Sequence, residues 1–160
     1  MKALAYGVVP ANVLGSRDGL SLLQAMLAGQ LPAAPITRTL AFRLVAVEFG
    51  RAIFEGKPRA SFYNPFGSAH AGYAATLLDS AAACAIHTTL AKGEFYTSLE
   101  LKINYVRPIG ERSGLLRAEG AVIHRGRSVA TAQADLKDAA GTLYAHATTT
   151  CMIFAPKNTS

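Results

Sequence analysis

The chain has 160 residues, 51% of them hydrophobic and 8% aromatic with no tryptophan, enough to bury a single domain's core made chiefly of Ala, Leu, Val and Ile. Its formal net charge of +6 comes from basic residues scattered along the chain, a distribution that argues against a nucleic-acid surface and fits a small polyanionic ligand such as one carrying phosphates. No apolar run reaches the ~18 residues of a membrane span, and the opening MKALAYGVVPA is too short and broken for a signal peptide. Cys84 and Cys151 sit in apolar settings without metal-ligand spacing, so the expectation is a cytoplasmic protein with free thiols and no metal site.

Residues 16–29, SRDGLSLLQAMLAG, place Leu20, Leu23, Met26 and Leu27 at helical spacing before Gly29, which predicts a short amphipathic helix closed by glycine. QLPAAPITRT then reads as a proline-broken connector, so residues 1–35 form an N-terminal helix and connector and residues 36–156 the main domain. In LAFRLVAVEFGRAIFEGKPRA, two apolar runs flank Gly50 as the strands of a hairpin flank its turn. The turn-rich YNPFGSAH leads into an apolar run over about 71–91, closed by Gly93, which is the one long helix expected.

Strand patterning fills the rest. YTSLELKINYVR alternates Leu99, Leu101, Ile103 and Tyr105 with Ser98, Glu100, Lys102 and Asn104 until Pro108 ends it. GLLRAEGAVIH, RSVATAQADLK and GTLYAHATTTCMIF follow as a meander with turns at Arg125-Gly126 and Ala140-Gly141, before the tail APKNTS. The fold class is therefore α+β, with an antiparallel sheet of about six strands. Such a sheet buries a nearly all-apolar helix by curling around it. Its open edges favour pairing with a second copy of the chain.

One residue stands out against that helix. Between Gly72 and Ile86 the strongly polar side chains are Thr76, Asp79 and Ser80, so Asp79 is an acid placed where burial is expected on nearly every face. An isolated buried carboxylate costs several kcal/mol unless it is paired, hydrogen-bonded or protonated. It either bonds strand backbone or a partner chain, or it does chemistry: a partly desolvated carboxylate can activate water or attack a carbonyl directly. Amides at the helix start, near His70, favour an ionised acid. The same N-terminal amides, of Ala71 and Gly72, are candidate oxyanion donors.

YNPFGSAHAGYAATLLDSA, TSLELKINYVRP and GAVIHRGRSVATAQADLKDAAGTLYAHATTT together resemble the hotdog-fold acyl-CoA thioesterases of the phenylacetate-degradation (PaaI-like) type, from about Leu20 to Phe154. The resemblance implies a hotdog fold and hydrolysis of an acyl- or aryl-acyl-CoA to free acid and CoA, with no cofactor beyond the CoA of the substrate. It implies Asp79 as catalytic acid, Asn64 orienting water or thioester, His70 shaping the turn, and Ser98 reaching Asp79 across a dimer interface to hold a water. Arg107, Arg125 and Arg127 would bind the CoA phosphates, guanidinium being suited to phosphate. The partners implied are the acyl-CoA substrate and a second copy of the chain, as a homodimer that pairs into a homotetramer, with no nucleic acid or membrane. The family usually reads His-Gly-Gly where this chain has His70-Ala71-Gly72. Two other readings remain: a hydratase or dehydratase on the same fold, which lacks a helping histidine since the position five beyond Asp79 is Cys84, and an acyl-CoA-binding module without turnover.

Overall fold

The computed structural model describes residues 5–155. Four helices, α1 (Ala11–Leu14), α2 (Gly19–Leu27), α3 (Pro35–Thr39) and α4 (Ala71–His87), accompany six strands, β1 (Phe42–Glu48), β2 (Arg51–Gly56), β3 (Phe95–Tyr105), β4 (Leu116–Arg125), β5 (Val129–Asp138) and β6 (Leu143–Phe154). The strands make one antiparallel sheet in the order β1-β2-β4-β5-β6-β3, leaving β1 and β3 at its edges. The sheet curls around α4, which packs against β2, β3, β4, β5 and β6. This is the α+β arrangement expected from the sequence.

The helix lies close against the sheet because alanine faces alanine. Ala81, Ala82 and Ala85 of α4 and Ala118, Ala130 and Ala132 of the sheet are all fully buried. At Gly120 of β4 an added Cβ would stand 2.1 Å from the Ala81 carbonyl oxygen, so backbone touches backbone there and only glycine fits. Leu77, Leu78, Ile86, Leu116 and Leu136 fill the remaining core.

The N-terminal segment is built onto this core. Asp18 caps α2 by accepting hydrogen bonds from the Ser21 backbone N–H (2.9 Å) and hydroxyl (2.7 Å), and Gly29 turns the chain away at φ +69°. Gly19 anchors the helix: its N–H donates to the Leu90 carbonyl at 2.9 Å, and a Cβ there would meet the His87 carbonyl oxygen at 1.7 Å.

Three expectations are corrected. The stretch read as connector contains α3, started by Pro35 at its first position, where a missing N–H costs nothing, and α1 precedes α2 as a further short helix. The long helix ends at His87 rather than near 91, because the Thr88 and Thr89 hydroxyls bond back to the Ala85 and Ile86 carbonyls (2.6 and 2.7 Å). In β3 a bulge between Ser98 and Glu100 shifts the register against β6, so Ser98 faces the inner side beside Cys151 while Leu99 is 57% exposed. Of the domain bounds and the tail read from the sequence, residues 1–4 and 156–160 lie outside the described residues.

Candidate active site

The segment before α4 is fixed by backbone bonds at both ends. Ala69 N–H donates to the Ile109 carbonyl (2.8 Å) and His70 N–H to the Phe62 carbonyl (2.7 Å). Asn64 shapes the turn between them: its Oδ1 accepts from Phe66 N–H (2.9 Å) and Ser68 N–H (3.3 Å), and its Nδ2 donates to the Ser68 hydroxyl (3.1 Å). His70 is the N-cap of α4, and its Nδ1 accepts from the Gly72 N–H at 2.9 Å. That bond has two consequences. It occupies the Gly72 amide, one of the two expected oxyanion donors, and it places the ring proton on Nε2, where it can donate outward. The Ala71 N–H has no acceptor among the described residues and stands at the positive end of a 17-residue helix.

Asn64, Ser68, His70, Ala71, Tyr105 and Arg107 line one cavity of about 410 Å³ around this helix end. Tyr105 closes over it, its hydroxyl donating to the Ala71 carbonyl at 3.3 Å. Arg107 thus shares a cavity with the Ala71 amide, a position from which a guanidinium can hold an anionic group.

Asp79 opens elsewhere. From Ala71 to Asp79 the helix rises about 12 Å, and the Asp79 carboxylate faces a second cavity of about 750 Å³, shared with Ser80, Ala83 and Cys84 of α4 and Tyr96 of β3. Asp79 is half-buried and has no hydrogen-bond or ion-pair partner among the described residues. Burial alone acts on its carboxyl and pushes it above the ordinary range. This is opposite to the ionised state that the helix amides favour, because they lie more than two turns away, beyond the reach of the terminal dipole. Neighbouring groups register the same dry surroundings: burial, then the Asp79 charge, lifts the Cys84 thiol to about 12. The Tyr96 hydroxyl is raised well above its usual range, chiefly by burial.

Of the other expected residues, Ser98 lies against Cys151, a thiol on which the Asp79 charge also acts, and the arginines are dispersed within one chain. Ser98 Oγ lies 3.7 Å from Cys151 Sγ on the inner face of the edge strand β3. Arg125 pairs with Glu94 at 2.8 Å and donates to the Gly126 carbonyl, beyond the C-terminal end of α4, and Arg127 follows in the exposed turn between β4 and β5. Arg107 sits at the opposite end of that helix, about 25 Å away along its axis. Sequence reasoning missed Tyr96, Tyr105 and the contribution of α2 and α3 to the Asp79 cavity. Tyr105 carried a signal, the end of an alternating strand next to NYVRP, whereas the helix contacts depend on long-range packing that no local pattern encodes.

The geometry gives a helix-end amide without an acceptor among the described residues and a desolvated acid, held in separate cavities of one chain. A sequence profile described as Thioesterase superfamily matches residues 66–145, half of the 160-residue chain. The 1,4-dihydroxy-2-naphthoyl-CoA hydrolase of Listeria monocytogenes serotype 1/2a (strain 10403S) is 27% identical over 93 residues, which is 58% of this chain and 74% of that protein. Among solved structures, a phenylacetic acid degradation-related protein of Ralstonia eutropha JMP134 is 31% identical, covering 81% of this chain and 97% of that one at a TM-score of 0.73. A mutant of the phenylacetic acid degradation protein PaaI of Thermus thermophilus is 28% identical, with 74% and 97% covered and a TM-score of 0.66.

Proposed function

This chain belongs to the thioesterase superfamily, and we propose that it hydrolyses the thioester of an acyl- or aryl-acyl-CoA, with Asp79 as the catalytic carboxylate and the Ala71 N–H as an oxyanion donor. The observation that carries the reading is Asp79 itself: an acid kept in a largely apolar cavity with no partner among the described residues is poorly explained by stability, and burial makes it a stronger base than an exposed aspartate.

The reaction needs both parts of the site at one carbonyl. With acid and donor about 12 Å apart along one helix, a second copy must bring its own His70-Ala71 end to Asp79. The edge strand β3 supports such pairing, since it presents unpaired backbone and the exposed side chains Leu99 and Tyr105, with Val106 just beyond. In the paired site Ser98, on the inner face of the same edge, is placed to hold a water, and Arg107 accompanies the donor end toward the CoA phosphates. Asp79 acts by one of two routes. It takes a proton from water as that water attacks the carbonyl, expelling the CoA thiolate. Alternatively, its oxygen attacks the carbonyl, the thiolate leaves, and water opens the resulting mixed anhydride. A single turnover in ¹⁸O-water that puts label into Asp79 identifies the anhydride route with water attacking the Asp79 carbonyl carbon, whereas label confined to the released acid fits water activation or water attack on the acyl carbon of the anhydride.

The test is thiol release from acyl-CoAs by the parent and by Asp79→Asn and Asp79→Ala. Turnover falls by about 100-fold or more while thermal melts show a folded protein. A folded variant that keeps more than about a tenth of parent activity removes Asp79 from the mechanism. Acyl-CoA binding without any thiol release would identify a binding module instead.

A further inference from the structure

The cavity that Asp79 faces has a wall that the superfamily match does not include. Leu23, Met26 and Leu27 of α2 and Ile36 of α3 form it, all outside residues 66–145. A bulge in β1 between Leu44 and Ala46 completes it, because the extra residue lets both Leu44 and Val45 line the space where a regular strand would offer only one of them. At about 750 Å³ the cavity is within the range that encloses a whole organic ligand, far more than an acetyl group needs.

Its chemistry is graded. The polar groups gather at the α4 and β3 end, where Asp79, Ser80 and Tyr96 stand, and the far wall is aliphatic. The hydroxyl on the helical wall, Thr37, already donates to the Ala34 carbonyl at 2.7 Å. Arg43 stands at the rim, exposed and 3.6 Å from Glu55. A ring hydroxyl pushed to the far wall would exchange its water for at most the Thr37 oxygen as an acceptor and would find no donor there, whereas a methylene chain loses nothing. Met26 gives that wall a flexible side chain able to follow a chain of varying conformation.

We propose that the acyl group of the substrate lies in this cavity and is an unsubstituted alkyl chain of about octanoyl size or longer, selected by Met26, Leu27 and Ile36 of the N-terminal helices. The assignment rests on the thioesterase reading, in that Asp79 at the polar end marks where the thioester carbonyl sits. The alkyl tail then extends from that carbonyl beneath α2.

Two measurements test it. The first compares kcat/KM for acetyl-, octanoyl- and 4-hydroxybenzoyl-CoA in the parent and in Met26→Trp and Ala83→Phe, which fill the cavity from the helical lid and from α4, one turn beyond Asp79. Octanoyl-CoA leads both other substrates by about tenfold or more in the parent, and each filled variant cuts the octanoyl-to-acetyl ratio by about tenfold or more. The second is calorimetric binding of S-octyl-CoA, a thioether that cannot be hydrolysed, against CoA alone. The parent prefers the thioether by about tenfold or more, and Met26→Trp erases the preference. Hydrolysis with equal kcat/KM for all three substrates, or with a ratio unmoved by a folded Met26→Trp, overturns the cavity assignment and leaves the thioesterase reading standing. A thioether preference erased by Met26→Trp in a protein that hydrolyses nothing supports the alkyl cavity and overturns the hydrolase. If the parent neither hydrolyses nor prefers the thioether, both are overturned.

Discussion

The two halves of the candidate site are made in opposite ways. The N-terminal end of α4 is a lattice of hydrogen bonds, most of them local: Asn64 to Phe66 and Ser68 in a turn, His70 to Gly72 in a cap, and Tyr105 reaching from the end of β3 to the Ala71 carbonyl. The Asp79 end is an apolar space with an acid that has no partner among the described residues, enclosed by six elements spread along the chain, α2, α3, β1, β2, α4 and β3. The first spends its polar groups on holding geometry and leaves the Ala71 amide open. The second leaves its polar group unsatisfied and raises its basicity by withholding water. One end is preorganised for charge and the other is desolvated, and an acyl transfer needs both.

The sharpest way to break the comparison is to delete the Ala71 amide without disturbing its lattice. Ala71 is the first residue of α4, and His70 before it has φ −56° and ψ 139°, the extended geometry that a residue preceding proline adopts. Ala71→Pro therefore fits the helix start and removes only the N–H. Turnover falls by about 100-fold while the melting temperature changes little. Ala71→Gly keeps the donor and alters activity only modestly. If Ala71→Pro folds, binds S-octyl-CoA and turns over normally, the oxyanion donor is not this amide.

The next variant strikes the other half through its roof. Gly19 lets α2 sit against the end of α4, and a methyl group there meets the His87 carbonyl oxygen at 1.7 Å. Gly19→Ala forces the lid helix to shift and costs about 1–3 kcal/mol, the usual toll of overpacking. It weakens octanoyl-CoA turnover more than acetyl-CoA turnover, a split that uniform destabilisation would not produce. Urea titrations paired with the two kinetic series read both effects.

Legibility followed the same division. The sequence announces the helix start, since a histidine after Gly67-Ser68-Ala69 and before an apolar run reads as a boundary, and α4 begins there. Six strands could be placed because alternation is local, and it failed at bulges, in β1 where Leu44 and Val45 both line the Asp79 cavity and in β3 where Leu99 turns outward and Ser98 inward. Asp79 was visible as an acid out of place. Its cavity was not, because the spacing of Leu23 and Met26 announces an apolar face without saying what that face covers. Pro35 read as a break, although proline opens helices as readily as it interrupts them.

A smaller effect tests the lattice itself. His70→Ala removes the acceptor for the Gly72 amide and costs about 1 kcal/mol, as loss of an N-cap does. His70→Asn restores an acceptor and most of that stability, which thermal melts of the three proteins resolve. If activity returns along with stability in the asparagine variant, His70 serves as a cap alone. If only stability returns, the outward Nε2–H also meets the substrate.

The smallest effect asks whether the dry end is truly costly to the fold. Burial raises the Asp79 carboxyl, so the folded chain holds that proton more tightly than the unfolded chain, whose value is near 3.8. Below that value both states are protonated and the residue weighs nothing against folding. As pH climbs from there through the raised folded value, the native state must accept a charge that its surroundings disfavour, and stability declines. Above the folded value the penalty is constant. Asp79→Asn carries no such proton, so its melting temperature matches the parent's at the acid limit, pulls ahead as pH rises through that window, and keeps a small lead at neutral pH. Parallel melts across the acid and neutral range measure the gap. A gap that stays flat with pH, or that favours the parent at neutral pH, would mean that the carboxylate has a stabilising partner and that its end of the helix is not the desolvated half of the site.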